Sequence, residues 1–278
     1  MVEVRGFEPL LREPKSLVLP LHHTSIRGAN IEIFYDVTKF RLNRDFYVFL
    51  YDFIKPKIMI WIIIIATMVL SLVVQNGLTR KIKKYSKVDI GLSGAEVAER
   101  MLRENGITDV KVTCTGGFLT DHYNPSTKVV NLSKEVYEGR NVSAAAVAAH
   151  ECGHAVQHAT KYLPLGVRSA LVPVVNFASM TVQFVLLMGV LMLNTFPQLI
   201  WIGIGLFAIT TLFSFITLPV EINASARAVK WLENAGITTY ETKPMAVSAL
   251  KWAAYTYVIA AIGSLATLLY YISLAQRR

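Results

Sequence analysis

The sequence has very few cysteines, which limits the ways in which the fold can be held together. Among its 278 residues only Cys114 and Cys152 are cysteines. Two cysteines cannot provide the framework of several disulfides that stabilises small secreted proteins. Free thiols are typical of a reducing cytoplasm, and we interpret Cys152 as a packing residue rather than a metal ligand.

Charge is also scarce, and three long stretches contain none. Charged residues make up 17% of the chain, whereas hydrophobic residues make up 53% and the mean hydropathy is +0.43. Residues 58–79, 169–220 and 252–276 carry no charge, and roughly 20 apolar residues are enough to cross a bilayer. The net charge of +9 would alone be compatible with nucleic-acid binding, but this distribution indicates a membrane protein without a nucleic-acid partner.

The middle uncharged stretch is long enough to cross a membrane twice. Its polar, proline-containing segment Asn194-Thr-Phe-Pro-Gln198 marks a turn between two helices. We therefore predict a mostly helical integral membrane protein with four transmembrane helices, in which residues 169–220 form a hairpin of two spans. The predicted spans are 58–79, about 170–193, about 199–219 and 252–276.

Four spans fix the sides on which the remaining segments lie. Residues 80–168 and 220–251 fall on one side, whereas the turn inside the hairpin and both termini fall on the other. Lysine and arginine are concentrated on the first side, so the positive-inside rule predicts that it is the cytoplasm. The basic residues concerned are Arg80, Lys81, Lys83, Lys84, Lys87, Arg168, Arg227, Lys230 and Lys251.

The first 57 residues lack amphipathic periodicity and mix prolines, histidines and scattered charge. They do not fit a secretory signal peptide, whose apolar core should come early. We expect residues 1–57 to be poorly ordered, or to be an over-extended reading of the gene whose natural start is near Met59.

The motif His150-Glu151-Cys152-Gly153-His154 has direct chemical meaning. Asn141 offers an N-cap before an alanine-rich run, so we predict a helix over about 143–162. On a helix, His150 and His154 lie one turn apart on the same face, roughly 6 Å along the axis, and both imidazoles can reach one metal ion. Glu151 projects beside them, where a general base for the metal's water is needed. The motif predicts a zinc hydrolase.

Between the first two spans, the sequence predicts a small α+β domain. A capping box at Ser93-Gly-Ala-Glu96 and a terminating Gly106 indicate a helix of about 12 residues. Three short strands are predicted at 110–114, 118–123 and 128–132, separated by turn-forming residues. We expect the sheet beside the motif helix, where its edge would hold an extended peptide, although a purely structural sheet is an equally good interpretation.

A catalytic zinc ion usually has three protein ligands and one open position, so two histidines are not enough. His158 lies about 12 Å from His150 along the helix, and no glycine follows the motif to bend the chain. His122, on a strand, is better suited to a supporting or substrate contact. Glu233 lies in an exposed amphipathic stretch. These three residues are weaker candidates than Glu221.

Glu221 is the best candidate for the third ligand. It is the first charged residue after the third span and lies on the same side of the membrane as the motif. A carboxylate at this boundary is often only an interfacial residue, but the motif favours a metal-binding role. Ser225 follows one turn later and would support a ligand through a hydrogen bond.

Several separated segments resemble the YugP-like family of bacterial membrane zinc metallopeptidases. The resemblance runs from about Lys81 to the C-terminus and implies a zincin-like domain in a bacterial cell membrane, with a gluzincin-like zinc site. It implies His150, His154 and Glu221 as Zn²⁺ ligands and Glu151 as the base. The segments that carry it are Val147-Ala-Ala-His-Glu-Cys-Gly-His-Ala-Val-Gln-His158, Leu119-Thr-Asp-His-Tyr-Asn-Pro125, Arg168-Ser-Ala-Leu-Val-Pro173 and Leu218-Pro-Val-Glu-Ile-Asn-Ala-Ser225.

The Glu221 segment is also similar to the Glu-x-x-Ala-Asp pattern of the HtpX and CAAX-prenyl membrane proteases, where the glutamate binds zinc. Ser225 stands here in place of their aspartate. We therefore predict an endopeptidase anchored in membrane lipid, with a polypeptide substrate. His122, Tyr123 and Arg227 are candidate donors to the oxyanion, and the oligomeric state is left open.

A membrane scaffold or transporter with a structural zinc ion is the alternative. The predicted spans contain no ionisable residue, whereas a transport pathway usually contains some. This favours helices that anchor the protein.

Overall fold

The computed structural model describes residues 31–276 except Phe118, and describes side chains from residue 58 onwards. The chain divides into two units, residues 1–52 and 53–278. In the first unit, the described backbone is helical. The expectation for residues 1–57 lies outside the residues whose side chains are described, and stays a prediction. The site below belongs to the second unit.

Helices dominate the described chain, and one short sheet interrupts them. In chain order the elements are α1 (Ile31–Tyr85), α2 (Gly94–Glu104), β1 (Lys111–Thr115), β2 (His122–Asn124), β3 (Val129–Ser133), α3 (Lys134–Tyr137), α4 (Val142–Ala159), α5 (Leu163–Leu191), α6 (Gln198–Asn234) and α7 (Lys243–Gln276).

Among the described residues, four helices are long and apolar enough to cross a membrane, as predicted. They are Ile58–Tyr85 of α1 together with α5, α6 and α7. Large apolar side chains are strongly exposed on them; Phe177, Met180 and Phe184 of α5 are 65%, 76% and 72% exposed. Such surfaces are unfavourable in water and suit contact with lipid tails.

Glycines allow the long helices to approach closely. A Cβ atom on Gly189 of α5 would lie 2.7 Å from the backbone of Ile200 in α6, and one on Gly77 of α1 would lie 2.0 Å from the Trp252 ring of α7. Small residues at such crossings are typical of packed membrane helices, where close van der Waals contact stabilises association. The predicted hairpin therefore forms as α5 and α6.

The sheet has the order β1-β3-β2, with β1 parallel and β2 antiparallel to β3. The strands expected at 110–114 and 128–132 are confirmed with shifts of about one residue. The middle strand begins only at His122, because the preceding residues turn: Leu119 has a φ of 57°, and the Asp121 carboxylate accepts hydrogen bonds from Ser133. Strand β2 is thus a short edge strand.

The predicted motif helix is confirmed as α4, which lies at the centre of the domain. The Asn141 side chain caps it by accepting from the Ala144 N–H, and its alanine-rich first half is buried. Helix α4 packs in one hydrophobic core with α2, the sheet and the neighbouring ends of α6 and α7, which contribute Leu232 and Leu250. The segments before α5 and after the third span are therefore packed together.

Helix α6 continues through Pro219 into the domain. The third span was predicted to end near residue 219, but the helix that contains it continues to Asn234. Proline lacks an N–H and weakens the helix locally, yet helix interiors tolerate it when neighbouring helices support them. Glu221 is thereby carried at a fixed position on a membrane helix.

Candidate metal centre

The three side chains expected to bind zinc converge in the structure. The Oε2 atom of Glu221 lies 3.3 Å from Nε2 of His150 and 3.5 Å from Nε2 of His154. The candidate ligand atoms all lie within 4.8 Å of one another. Two imidazoles and a carboxylate within this distance could hold one metal ion, and nitrogen and oxygen donors of this kind suit zinc.

The surroundings of Glu221 provide a test of that fit. Its side chain is almost fully buried, and Oε2 has no hydrogen-bond partner among the described residues. An unpartnered carboxylate oxygen in a protein interior is costly, and buried polar atoms almost always find a partner. A cation between Oε2 and the two Nε2 atoms would satisfy it, so the residues fit a metal ion.

The orientation of the His154 ring is set by Gln157. The His154 Nδ1 atom lies 3.0 Å from Oε1 of Gln157, which can only accept, so Nδ1 carries the proton. In the neutral ring, Nε2 then has a free lone pair directed towards Glu221. A hydrogen bond of this kind to the non-ligating nitrogen is characteristic of metal-binding histidines.

Gln157 is itself fully buried and held by α6. Its Nε2 group donates to the Val220 carbonyl at 2.8 Å and to Oδ1 of Asn223 at 3.0 Å. Because both partners accept, the amide orientation is determined by the network. Arg227 donates to the same Asn223 oxygen. This series of hydrogen bonds connects His154 to α6, the helix that carries Glu221.

The first histidine contacts α6 through Ser225. The Ser225 hydroxyl lies 3.1 Å from Nδ1 of His150, where it is able to accept the ring N–H and leave Nε2 directed towards Glu221. Ser225 therefore lies where the sequence predicts a supporting residue. Each histidine ring has a hydrogen-bond contact at Nδ1, which leaves both Nε2 atoms directed towards Glu221.

Glu151 is buried beside the histidines and held from the sheet. Its Oε2 atom accepts a hydrogen bond from the backbone N–H of Tyr123 in β2 at 3.0 Å. The contact fixes the carboxylate at the boundary between α4 and the edge strand. It also explains the position of the short strand, whose free edge faces the motif helix.

Burial shifts several ionisation equilibria around the site. Burial lowers the pKa of His154, but the nearby carboxylates of Glu221 and Glu151 outweigh it, so the net shift is upward. Burial raises the pKa of the Asp121 carboxyl. Burial, aided by the Glu151 charge, raises the pKa of the Cys152 thiol well above its usual range. Cys152 is a buried, neutral thiol near the Ala98 carbonyl, in agreement with a packing role.

The centre lies between two cavities. A wide cleft of about 1020 Å³ extends along the first turns of α5 and past β2, and a small cavity of about 130 Å³ lies towards α1 and α7. Glu151, His150 and Glu221 line both. An extended molecule bound in the wide cleft would therefore pass next to the candidate ligands. The small cavity adjoins the wide cleft at the same residues.

The remaining candidates from the sequence are distributed around the site. His122 lines the wide cleft, but its ring nitrogens contact the Thr120 carbonyl and the Asn131 amide. Tyr123 lines the same cleft, and its hydroxyl contacts His158. Neither of these histidines is among the described residues that converge with Glu221.

Arg227 and Glu233 lie away from the centre. The Arg227 guanidinium lies over the Tyr162 ring and bonds Asn223, and it lines neither of the two cavities formed here by described residues. Glu233 is paired with Lys243 on the surface.

The sequence analysis gave no role at the site to Gln157, Asp121 or Tyr257, and it used Arg168 only for topology and for the family resemblance. Nη1 of Arg168 lies 3.8 Å from Oε1 of Glu221, and Tyr257 lines both cavities together with Glu221. Gln157 had a detectable signal, because it follows His154 by three residues on a helix. Tyr257 had none, since it lies inside an uncharged span.

Two helical histidines one turn apart, completed by a carboxylate from another helix, form the donor set of zinc-dependent hydrolases. Here the set lies in a chain whose described part contains four potential membrane spans. The chain belongs to the family described as "Putative neutral zinc metallopeptidase", whose model matches residues 60–276. The family predicted from the separated motifs is thereby confirmed.

A curated relative is similar over most of its length. It is described as "Putative membrane protease YugP" from Bacillus subtilis (strain 168), and it is 44% identical over 210 residues, covering 75% of this chain and 92% of the relative. No solved structure matches this chain.

Proposed function

We propose that this protein is a membrane-anchored zinc endopeptidase whose active site faces the cytoplasm. The observation that carries the proposal is the buried Oε2 atom of Glu221, directed at the Nε2 atoms of His150 and His154. A structural zinc site would have four protein ligands, whereas a catalytic site keeps one position open. Three converging ligands beside a wide cleft fit the second type.

Zinc held by His150, His154 and Glu221 would polarise the scissile carbonyl and lower the pKa of water. Glu151 takes a proton from the attacking water and passes it to the leaving amine. The Tyr123 N–H holds the Glu151 carboxylate in place between those two steps. We assign the general-base role to Glu151 because it is buried, adjacent to the ligands and open to both cavities.

Negative charge on the substrate oxygen requires a nearby donor. Tyr257 and Arg168 are the best placed, because both line the wide cleft and both lie next to Glu221. His122 and Tyr123 line that cleft from the sheet, and we assign them to substrate contact. Arg227 acts through Asn223 on the support of His154.

The free edge of β2 provides a means of holding the substrate backbone. The N–H and C=O of one residue in a strand point to the same edge, and the N–H of Tyr123 points to Glu151, away from β3. Its carbonyl therefore also points to the site. An extended peptide in the cleft would donate to this carbonyl, a common mode of peptide recognition.

The test is the substitution Glu151→Gln in the full-length protein, purified in detergent or nanodiscs. We expect bound zinc to be retained and cleavage of an unfolded protein substrate to be lost. Zinc is measured by elemental analysis and cleavage by mass spectrometry. Unchanged turnover would refute the role of Glu151, and a parent protein without zinc would favour the scaffold alternative.

A further inference from the structure

The small cavity meets the wide cleft at the candidate metal centre. Its volume is about 130 Å³, and the residues shared by the two cavities are all polar. A group placed in the small cavity would therefore adjoin the bond to be cleaved. The shared residues are Asp121, His150, Glu151, Glu221 and Tyr257.

Beyond these shared residues the small cavity is almost entirely apolar. Leu78 and Ile82 of α1 form one wall, and Ala249 and Ala253 of α7 form another. Leu119, whose φ of 57° is unfavourable for leucine, completes the lining near β2. Residues held in such strained backbone conformations are concentrated at functional sites.

The space exists because α7 presents small residues next to a large one. Ala249, Ala253 and Tyr257 recur every four residues on one face of the helix. Tyr257 lines the cavity together with Glu221, and the alanines leave room beside it. A larger residue at position 253 would fill that room.

We propose that this cavity is a specificity subsite for one medium-sized apolar side chain of the residue next to the scissile bond. The proposal rests on the peptidase function proposed above. An apolar cavity of about 150 Å³ holds a molecule the size of benzene, so 130 Å³ accepts a branched aliphatic chain or a single ring. Leucine, methionine and phenylalanine fit this description, whereas tryptophan is too large.

The chemistry of the walls excludes charged side chains. A charged group would lose its hydration against leucine, isoleucine and alanine without gaining a partner. Of the three carboxylates at the mouth, Asp121 accepts from Ser133 and Glu151 accepts from Tyr123, and Glu221 is the proposed metal ligand. Burial of an apolar side chain is favourable in the same place.

The experiment compares cleavage-site profiles. The zinc-loaded full-length protein and its variants digest a complex mixture of peptides, and mass spectrometry identifies the residues on both sides of each cut. For the parent we expect enrichment of leucine, methionine and phenylalanine at one fixed position beside the cut. Leucine should exceed alanine there by about tenfold or more in kcat/KM, since even one methylene group in an apolar pocket changes this ratio about tenfold.

Two substitutions alter the cavity in opposite directions. Ala253→Leu fills it, and should shift the preferred residue at that position to alanine, serine or glycine. Leu78→Ala enlarges it, and should admit tryptophan. Ala260→Leu is the matched control, because it makes the same change on an exposed site of α7 outside the small cavity, and its profile should equal that of the parent.

The outcomes separate failure of the subsite from failure of the enzyme. A parent that cuts in a Glu151-dependent manner but without an apolar preference at either flanking position would overturn the subsite alone. The same holds if Ala253→Leu and Leu78→Ala both bind zinc and keep the parental profile. Zinc binding without any cleavage would overturn the proposed function and this inference together.

Discussion

Gly153 of α4 lies against the backbone of Ala224 in α6: a Cβ atom at position 153 would come within 2.7 Å of the Ala224 carbonyl oxygen. The glycine belongs to the motif, and Ala224 follows Glu221 by three residues. The lack of a side chain at position 153 therefore lets the helix of the two histidines approach the helix of the carboxylate.

We predict that Gly153→Ala weakens both the fold and the metal site. The atom that the new methyl group would meet is backbone, which cannot rotate away, so α6 must shift. Overpacking of this kind costs about 1–3 kcal/mol, and we expect a lower melting temperature together with weaker zinc binding. Thermal unfolding and zinc titration measure the two effects.

Gly205→Ala is the control for this prediction. Gly205 is also in a helix, but apart from its chain neighbours and the adjoining backbone of that helix, no described atom lies within 4 Å of a Cβ placed there. Alanine is favoured over glycine in helix interiors by about 1 kcal/mol, so stability should be equal or higher. If both variants behaved alike, the close approach at Gly153 would have no bearing on the site.

We predict that Glu221→Gln abolishes stable zinc binding. The amide has nearly the same shape but no negative charge, and its NH₂ group would place hydrogens against the two Nε2 atoms. Loss of a supporting contact alone costs about 10–100-fold in metal affinity, so loss of a ligand should cost at least that much. Elemental analysis of the purified protein measures the zinc content.

Glu233→Gln is the matched control for Glu221→Gln. Glu233 lies on the same helix but is exposed and paired with Lys243, so its substitution should leave zinc content at the parental level. Loss of zinc from Glu233→Gln with retention in Glu221→Gln would reverse our assignment of the third ligand.

We predict that Gln157→Met lowers zinc affinity by about 10–100-fold, although Gln157 is not a ligand. Methionine has a similar volume but cannot accept from His154 Nδ1 or donate to the Val220 carbonyl. The ring is then free to turn and to change its protonated nitrogen. Competition with a chelator of known affinity provides the measurement.

Ser225→Ala gives a comparison for the other histidine. Ser225 is only partly buried, so water can take over part of its hydrogen bond to His150, and the loss of affinity should be smaller than for Gln157→Met. A Gln157→Met variant with parental affinity would show that the hydrogen-bond chain to α6 does not position His154.

Local features made much of this fold predictable from the sequence. The N-cap at Asn141, the alanine-rich run and the two histidines one turn apart define α4 without any tertiary information. The absence of charge over 52 residues, from Ser169 to Val220, likewise defines the α5–α6 hairpin, because the bilayer imposes a minimum length. Glu221 could be proposed as a ligand from the sequence because it is the first charge after the third span and the predicted topology places it on the same side as the motif.

Contacts between distant segments could not be predicted in the same way. Tyr257 is one of many apolar or aromatic residues in a span, and only the packing of α7 against α6 brings it into the same cavities as Glu221. The turn before β2 depends on hydrogen bonds between Asp121 and Ser133, which local propensity does not reveal. Arg227 suggested an oxyanion donor by its charge, but its direction on α6 takes it to Asn223 and Tyr162.

We predict, finally, that Cys114 is protected from a membrane-impermeant maleimide in intact protoplasts and becomes labelled once the membrane is permeabilised. Cys114 is exposed on the domain that carries the metal centre, whereas Cys152 is buried, so one thiol reports the side of that domain. Thr195→Cys, in the exposed turn between α5 and α6, is the opposite control and should be labelled in intact protoplasts. Lysine and arginine are enriched at the helix ends next to this domain, and the positive-inside rule therefore predicts that the domain lies in the cytoplasm. Labelling of Cys114 before permeabilisation, with Thr195→Cys protected, would place the active site outside the cell and require a substrate found there.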